Sequence, residues 1–253
     1  MKEIFTSKNI YYSIIVPAYN EEEYIEDTLD SIFQAMEEIT GQKGEVIVVD
    51  NNSTDKTAEL ALSKGARLIF EKENQISRAR NKGVEIANGE VLFFVDADTK
   101  VHKRLLNFAL ERIKFENVGG GGSVLIFDSD QNNYFFGKLV PNFWVWVSRK
   151  FKLAAGSFIF CKSELFKLAG SFPENLFAGE EILFSVNYKK ICKNYGQEFV
   201  ILDKYPVVTS SRKLVWFNSI QILVFMIVPI IFPFVLRWKS FCSFWYKRPS
   251  TLK

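Results

Sequence analysis

Over its first hundred residues the chain alternates two apolar patterns. Short runs with little or no interruption, Tyr11–Val16, Glu45–Asp50, Arg67–Phe70 and Val91–Val95, read as strands. Between them, apolar residues recur at helical spacing, as in Ile25, Leu29, Ile32, Phe33 and Met36. Pro17, which cannot donate to a ladder, is expected to close the first strand, and Asn20 to cap the helix that follows, with Glu23 three residues on. Helices are also predicted over Lys56–Lys64 and Gln75–Ala87, the latter ended by Asn88-Gly89. Strands alternating with helices imply a parallel sheet with right-handed crossovers.

Past residue 100 the pattern changes. Leu105, Leu106, Phe108, Ala109 and Ile113 mark a helix, and Gly119–Gly122 leads into a strand at Ser123–Phe127 where backbone must come close to a neighbour. No Gly-Lys-Ser/Thr follows these glycines, so they are not a P-loop. Phe135–Leu153 is dense in aromatic residues and ends in Arg149, Lys150 and Lys152; it reads either as core or as a surface at lipid headgroups. A strand at Ser157–Cys161, a short helix at Glu164–Ala169, a helix at Glu180–Cys192 and a strand at Tyr205–Thr209 complete this half. Leu214–Leu236 is 23 residues without a charge, interrupted by Pro229 and Pro233 and followed by Arg237-Trp238-Lys239. A single membrane span and two broken segments lying in one leaflet both account for it.

Charge adds one asymmetry to this picture. Arg237–Lys253 holds five cations and no acid, and removing them from the net +3 leaves the rest at −2. That distribution speaks against a nucleic-acid partner and directs the tail toward anionic lipid. Cys161, Cys192 and Cys242 are odd in number and widely spaced, which suggests neither a disulfide framework nor a zinc site. The first nine residues lack the apolar core of a secretory signal, so a membrane-associated protein with its main domain on the cytoplasmic side is expected.

The candidate chemistry gathers at Val91–Thr99. A buried parallel strand delivers Asp96 and Asp98 to its carboxyl end, where ligands of such sheets bind. Two adjacent carboxylates need a cation, and oxygen donors favour Mg2+ or Mn2+. His102, four residues on, reads as a solvated side chain rather than a ligand.

Together with that stretch, Ile14-Ile15-Val16-Pro17-Ala18-Tyr19-Asn20-Glu21, Val48-Val49-Asp50-Asn51-Asn52-Ser53-Thr54-Asp55, Ala79-Arg80-Asn81-Lys82-Gly83 and Gly179-Glu180-Glu181 resemble glycosyltransferase family 2 in order and approximate spacing. The resemblance covers roughly Tyr11–Lys190. It implies an α/β fold of the GT-A type, a Rossmann-like mixed sheet flanked by helices, here with a C-terminal hydrophobic, membrane-associated segment. On that reading residues 1–212 form the transferase domain, with 11–100 the nucleotide-binding half and 101–212 the acceptor-binding half, and residues 213–253 form the membrane segment and basic tail.

The resemblance also implies an inverting transfer of one sugar from a nucleotide sugar, a UDP-sugar by default, to a hydroxyl or phosphate acceptor on a glycan or membrane lipid. Pro17, Ala18, Tyr19, Glu21 and Asp50 would line the nucleotide site. Arg80 would face the base or the diphosphate, with Arg78 the weaker choice. Asp96 would approach the ribose and the metal, Asp98 would coordinate the metal, and Glu181, with Glu180 beside it, would be the base. The chain has Glu180-Glu181 where the family usually has Glu-Asp. Arg212 and Lys213 would close over the diphosphate or mark the membrane interface. The Gln-x-x-Arg-Trp signature of processive synthases is absent, which favours a single transfer. A non-catalytic nucleotide-sugar-binding scaffold is the alternative.

Overall fold

The computed structural model describes residues 10–128, 146–212, 216–217 and 219–246. Eight strands form one mixed sheet: β1 (Ile10–Ala18), β2 (Lys43–Asp50), β3 (Arg67–Phe70), β4 (Val91–Val95), β5 (Thr99–Lys100), β6 (Val118–Phe127), β7 (Phe158–Lys162) and β8 (Glu198–Thr209), in the order β3-β2-β1-β4-β7-β6-β8-β5. The first four pair in parallel, β7 runs antiparallel to β4 and β6, and β8 lies parallel to β6. Helices α1 (Ile25–Glu37), α2 (Thr57–Ser63), α3 (Ile76–Ile86), α4 (Leu105–Phe115), α5 (Ser163–Leu168) and α6 (Glu180–Asn194) flank it, and α7 (Ser219–Ile231) follows.

The unbroken apolar run of β4 is explained by burial on both faces. Val91, Phe93 and Val95 join the core beneath α1 and α4, with Ile14, Leu29 and Leu106. Leu92 and Phe94 point the other way, into the core of Ile15, Val49, Phe166, Phe172 and Phe184. At the carboxyl edge β1, β2 and β4 end together, so residues 18–21, 50–53 and 96–98 share one rim.

Several expectations are corrected. Pro17 does not close β1: it pairs in register with Val49, beyond Ile15, the last residue that β1 pairs with β4. Asn20 is not the α1 cap. It sits at φ 51° with its side-chain oxygen accepting from Thr54 N at 2.8 Å, and the helix begins at Ile25. The glycine run lies within β6 rather than ahead of it, and β8 starts at Glu198, earlier than Tyr205. Of the aromatic stretch, residues 129–145 lie outside the described residues. Trp146 and Phe151 are half exposed with Lys150 over both rings, which is not core packing. Leu214–Leu236 is broken into α7 and a 3-10 turn at Pro233–Arg237, and no helix among the described residues is long and apolar enough to cross a membrane.

The glycines of β6 do bring backbone close. A Cβ on Gly121 would stand 2.0 Å from Val200 O and 2.9 Å from the Phe160 ring. Gly121→Ala should therefore strain the sheet and cost about 1–3 kcal/mol, to be read from the urea midpoint; an unchanged midpoint would contradict this packing.

Candidate active site

At the rim, one backbone bond and two backbone-to-side-chain bonds fix the loops. Asn51 N donates to Ala18 O (2.8 Å), Ser53 N donates to Asp50 Oδ1 (3.0 Å), and Glu21 N donates to Thr57 Oγ1 (2.7 Å). These bonds hold Pro17, Ala18, Tyr19, Glu21 and Asp50 on the rim formed by β1 and β2.

Arg80, on α3, is 2% exposed and is the largest fully buried side chain among the described residues. Its Nη1 donates to Glu180 Oε1 at 2.7 Å, and its Nη2 to Asp96 Oδ1 at 3.0 Å and to Gly156 O at 3.3 Å. The guanidinium lies 5.2 Å over the Phe172 ring. Burial works against its charge, but Asp96 and Glu180 outweigh burial and raise its pKa. Arg78 stands outside this cluster: it is partly exposed, its Nε donates to Gln75 Oε1 at 3.1 Å, and it pairs with Glu174 at 3.4 Å.

Gly179 starts α6 at φ 73°, a left-handed conformation that favours glycine, and so turns the chain to present Glu180 and Glu181 in the first turn. Glu180 is buried and committed to Arg80. Glu181 has no bond to Arg80, and its carboxyl is pushed up to about 8 by burial and by the neighbouring Glu180 charge, with Arg80 pulling it part of the way down. The two glutamates are thus unequal: one is an ion-pair partner, the other an acid that holds its proton near neutral pH.

Asp98 meets a different cation. β5 pairs antiparallel with β8, Thr99 against Thr209, and Ser210 N donates to Asp98 O at 3.1 Å. This returns the chain over the rim, where Arg212 Nη2 donates to Glu21 Oε1 (2.6 Å) and Asp98 Oδ2 (2.9 Å). Among the described residues no three His, Cys, Asp or Glu side chains gather as a metal site. The donor chemistry nonetheless fits a hard divalent cation: Asp98 and Asp96 are carboxylates on one short loop, and each already holds a positive partner. His102 is exposed and stacks on Tyr205 at 4.8 Å, away from this pair of acids in its bonding.

Two features escaped sequence reading. Gln75 is buried and its Nε2 donates to Glu174 O and Leu176 O, both at 2.7 Å, tying α3 to the loop that carries Glu180. Leu236 O accepts from Phe177 N (2.7 Å) and Tyr246 OH accepts from Ile76 N (3.3 Å), so the C-terminal segment packs on the same loop. Residues about a hundred positions apart carry no mutual signal in a single sequence.

A mixed sheet with carboxylates and a buried arginine at the carboxyl ends of its parallel strands is the architecture of an α/β protein that binds its ligand at that edge. Comparison with known proteins narrows that class. The model of glycosyl transferase family 2 matches residues 13–165, and the chain belongs to this family. It is 28% identical over 195 residues to glycosyltransferase AglE of Haloferax volcanii, covering 70% of this chain and 60% of AglE. With poly(ribitol-phosphate) beta-N-acetylglucosaminyltransferase TarS of Staphylococcus aureus it shares 28% identity over 219 residues, 80% of this chain and 36% of TarS. The chain thus spans less than two thirds of either relative. Its fold is that of mannosyltransferase PcManGT from Pyrobaculum calidifontis, solved with GDP-Man and Mn2+ (TM-score 0.68, 22% identity, 92% of this chain, 64% of that one). It is also that of glucosyl-3-phosphoglycerate synthase from Mycobacterium tuberculosis, solved with Mn2+ and UDP (TM-score 0.62, 19% identity, 90% and 80%). The expected GT-A sheet is therefore present.

Removing the cation from the Arg80 cluster would leave Glu180 buried without a counter-charge. Arg80→Met should lower stability by about 3–5 kcal/mol, measured by chemical denaturation; a loss under about 1 kcal/mol, the range of exposed pairs, would mean the cluster is not what holds the two halves of the site.

Proposed function

We propose that the protein is an inverting glycosyltransferase that moves one sugar from a nucleotide diphosphate sugar, a UDP-sugar first, to an acceptor hydroxyl. The observation that carries this reading is Glu181: an acid at a helix start, with raised proton affinity and beside a locked Arg80–Asp96–Glu180 cluster. A general base works best with a pKa near the operating pH. In the step, the acceptor oxygen forms a bond to the anomeric carbon, the bond from that carbon to the diphosphate oxygen breaks, and the acceptor proton passes to Glu181. The nucleoside diphosphate leaves with the bonding pair. A phosphate acceptor would arrive already ionised and need no base, so a tuned Glu181 favours the hydroxyl.

Asp50 and the Pro17–Tyr19 turn would bind the base and ribose, and Asp98, with Asp96, would hold the divalent cation. Bound there, the cation would supply Lewis-acid neutralisation of the departing diphosphate. Structures of relatives support the donor class: TarS has been solved with UDP-GlcNAc and PcManGT with GDP-Man. The test is Glu181→Gln, assayed by calorimetric UDP binding with Mn2+ and by transfer to hydroxyl acceptors. Nucleotide binding should stay within about twofold while kcat falls about 10²–10⁴-fold. Wild-type kcat/KM should rise with pH along a limb centred at or below about 8, because only the ionised base is active. A folded protein that binds no nucleotide would instead favour a non-catalytic role.

We also infer that the C-terminal segment lies in one membrane leaflet and sets the acceptor side of the site at a lipid surface. Ile231, Phe232, Phe234 and Trp238 are all about half exposed beside Arg237 and Lys239. Such a surface suits partial insertion beside anionic headgroups. The full chain should co-sediment with phosphatidylglycerol vesicles, and the triple change Ile231→Ser, Phe234→Ser, Trp238→Ser should cut binding at least about tenfold; equal binding by the two proteins would refute the anchor.

A further inference from the structure

Arg212 and Arg80 each bridge two carboxylates, but they do so differently. Arg80 distributes its bonds over both terminal nitrogens and stands in a fully enclosed core. Arg212 uses one nitrogen, Nη2, for both Glu21 and Asp98, and the buried Nε of each arginine finds no acceptor among the described residues. Its guanidinium rests on the rings of Tyr24 (4.4 Å) and Trp216 (5.3 Å). The end-on grip forgoes the bidentate geometry that makes arginine–carboxylate pairs strong. The acids, by contrast, cannot do without a cation: both approach within 3 Å of one nitrogen, at 8% side-chain exposure, and two bare carboxylates so placed would repel strongly.

We propose that Arg212 is an internal stand-in for the divalent cation, neutralising Asp98 and Glu21 while the metal is absent and releasing Asp98 when it binds. The inference rests on Asp98 being a metal ligand, as read above. Metal and guanidinium then compete for one carboxylate, so metal alone binds against the strength of the Arg212–Asp98 bond. A nucleoside diphosphate relieves this competition, because its oxygens give the displaced guanidinium a new anionic partner. Metal and nucleotide therefore bind with positive coupling, and the empty enzyme keeps little metal. Trp216 reports the event directly, since the cation leaves its ring.

The test is Mn2+ binding to the full-length protein without nucleotide, followed by electron paramagnetic resonance of the free ion. Wild type is compared with Arg212→Met, Arg212→Lys and Asp98→Asn. Arg212→Met should bind Mn2+ about tenfold more tightly than wild type and lose most of the enhancement that UDP or GDP confers on wild type. In wild type, saturating Mn2+ should change tryptophan fluorescence, and the change should vanish in Trp216→Phe. Equal or weaker binding by Arg212→Met, with binding lost in Asp98→Asn, overturns the stand-in role and leaves Asp98 as a ligand. Unaltered binding by Asp98→Asn overturns the ligand reading and the inference with it. Should Arg212→Met not fold, the wild-type fluorescence titration decides: no Trp216-dependent change at saturating Mn2+ overturns the proposal.

Discussion

A guanidinium buried as deeply as that of Arg80 is tolerable only where fixed anions surround it, and the site is built by meeting that demand. Its partners come from both halves of the chain: Asp96 from the end of β4, Glu180 from the first turn of α6 and the carbonyl of Gly156 from the approach to β7. None of these elements could shift without leaving a charge buried and unpaired. The cluster therefore sets where the rim formed by β1, β2 and β4 stands relative to the start of α6. It also decides the fate of the two glutamates. Glu180 spends its charge on Arg80, and Glu181, next in the chain, is left beside that charge with its proton held more tightly.

The first hundred residues were the more legible in sequence, for a physical reason. A strand buried on both faces must be apolar at every position, so β4 and the aspartates at its end stand out without knowledge of their neighbours. Helical spacing in α1 likewise reflects one face against one core. Legibility failed where local and distant bonds compete for the same group. Asn20 has the chemistry of a helix cap, yet its oxygen is taken by Thr54 N, thirty-four residues on, and the helix starts a turn later. The start of β8 was missed although Phe199–Leu202 is an unbroken apolar run, because four apolar residues between Glu198 and Asp203 do not by themselves separate a strand from a buried helix, and the strand's partner is the glycine run of β6. Gln75 joins backbone across about a hundred residues, which no periodicity encodes.

The family resemblance filled part of that gap. It singled out Arg80, whose burial nothing in the local sequence announces, and it paired Glu180 with Glu181, but it could not say which would be neutralised. That distinction depends on the distance from Glu180 to one guanidinium. The Arg212 position shows the converse. Sequence reading left its cation between a diphosphate and a membrane interface, while the fold places it against Asp98 and Glu21.

The two arginines divide the electrostatic work of the site. A catalytic centre that must assemble around a charged donor needs some charges fixed beforehand, so that they need no reorganisation during the reaction. It also needs at least one that can exchange partners, because a carboxylate pair left bare between turnovers would destabilise the fold. Arg80, enclosed and bonded through two nitrogens to acids from both halves, meets the first need. Arg212, held through one nitrogen at the rim beside the start of the C-terminal segment, is suited to the second. With Arg212 as the stand-in proposed above, the fold would remain compact without its donor and open Asp98 when the donor arrives.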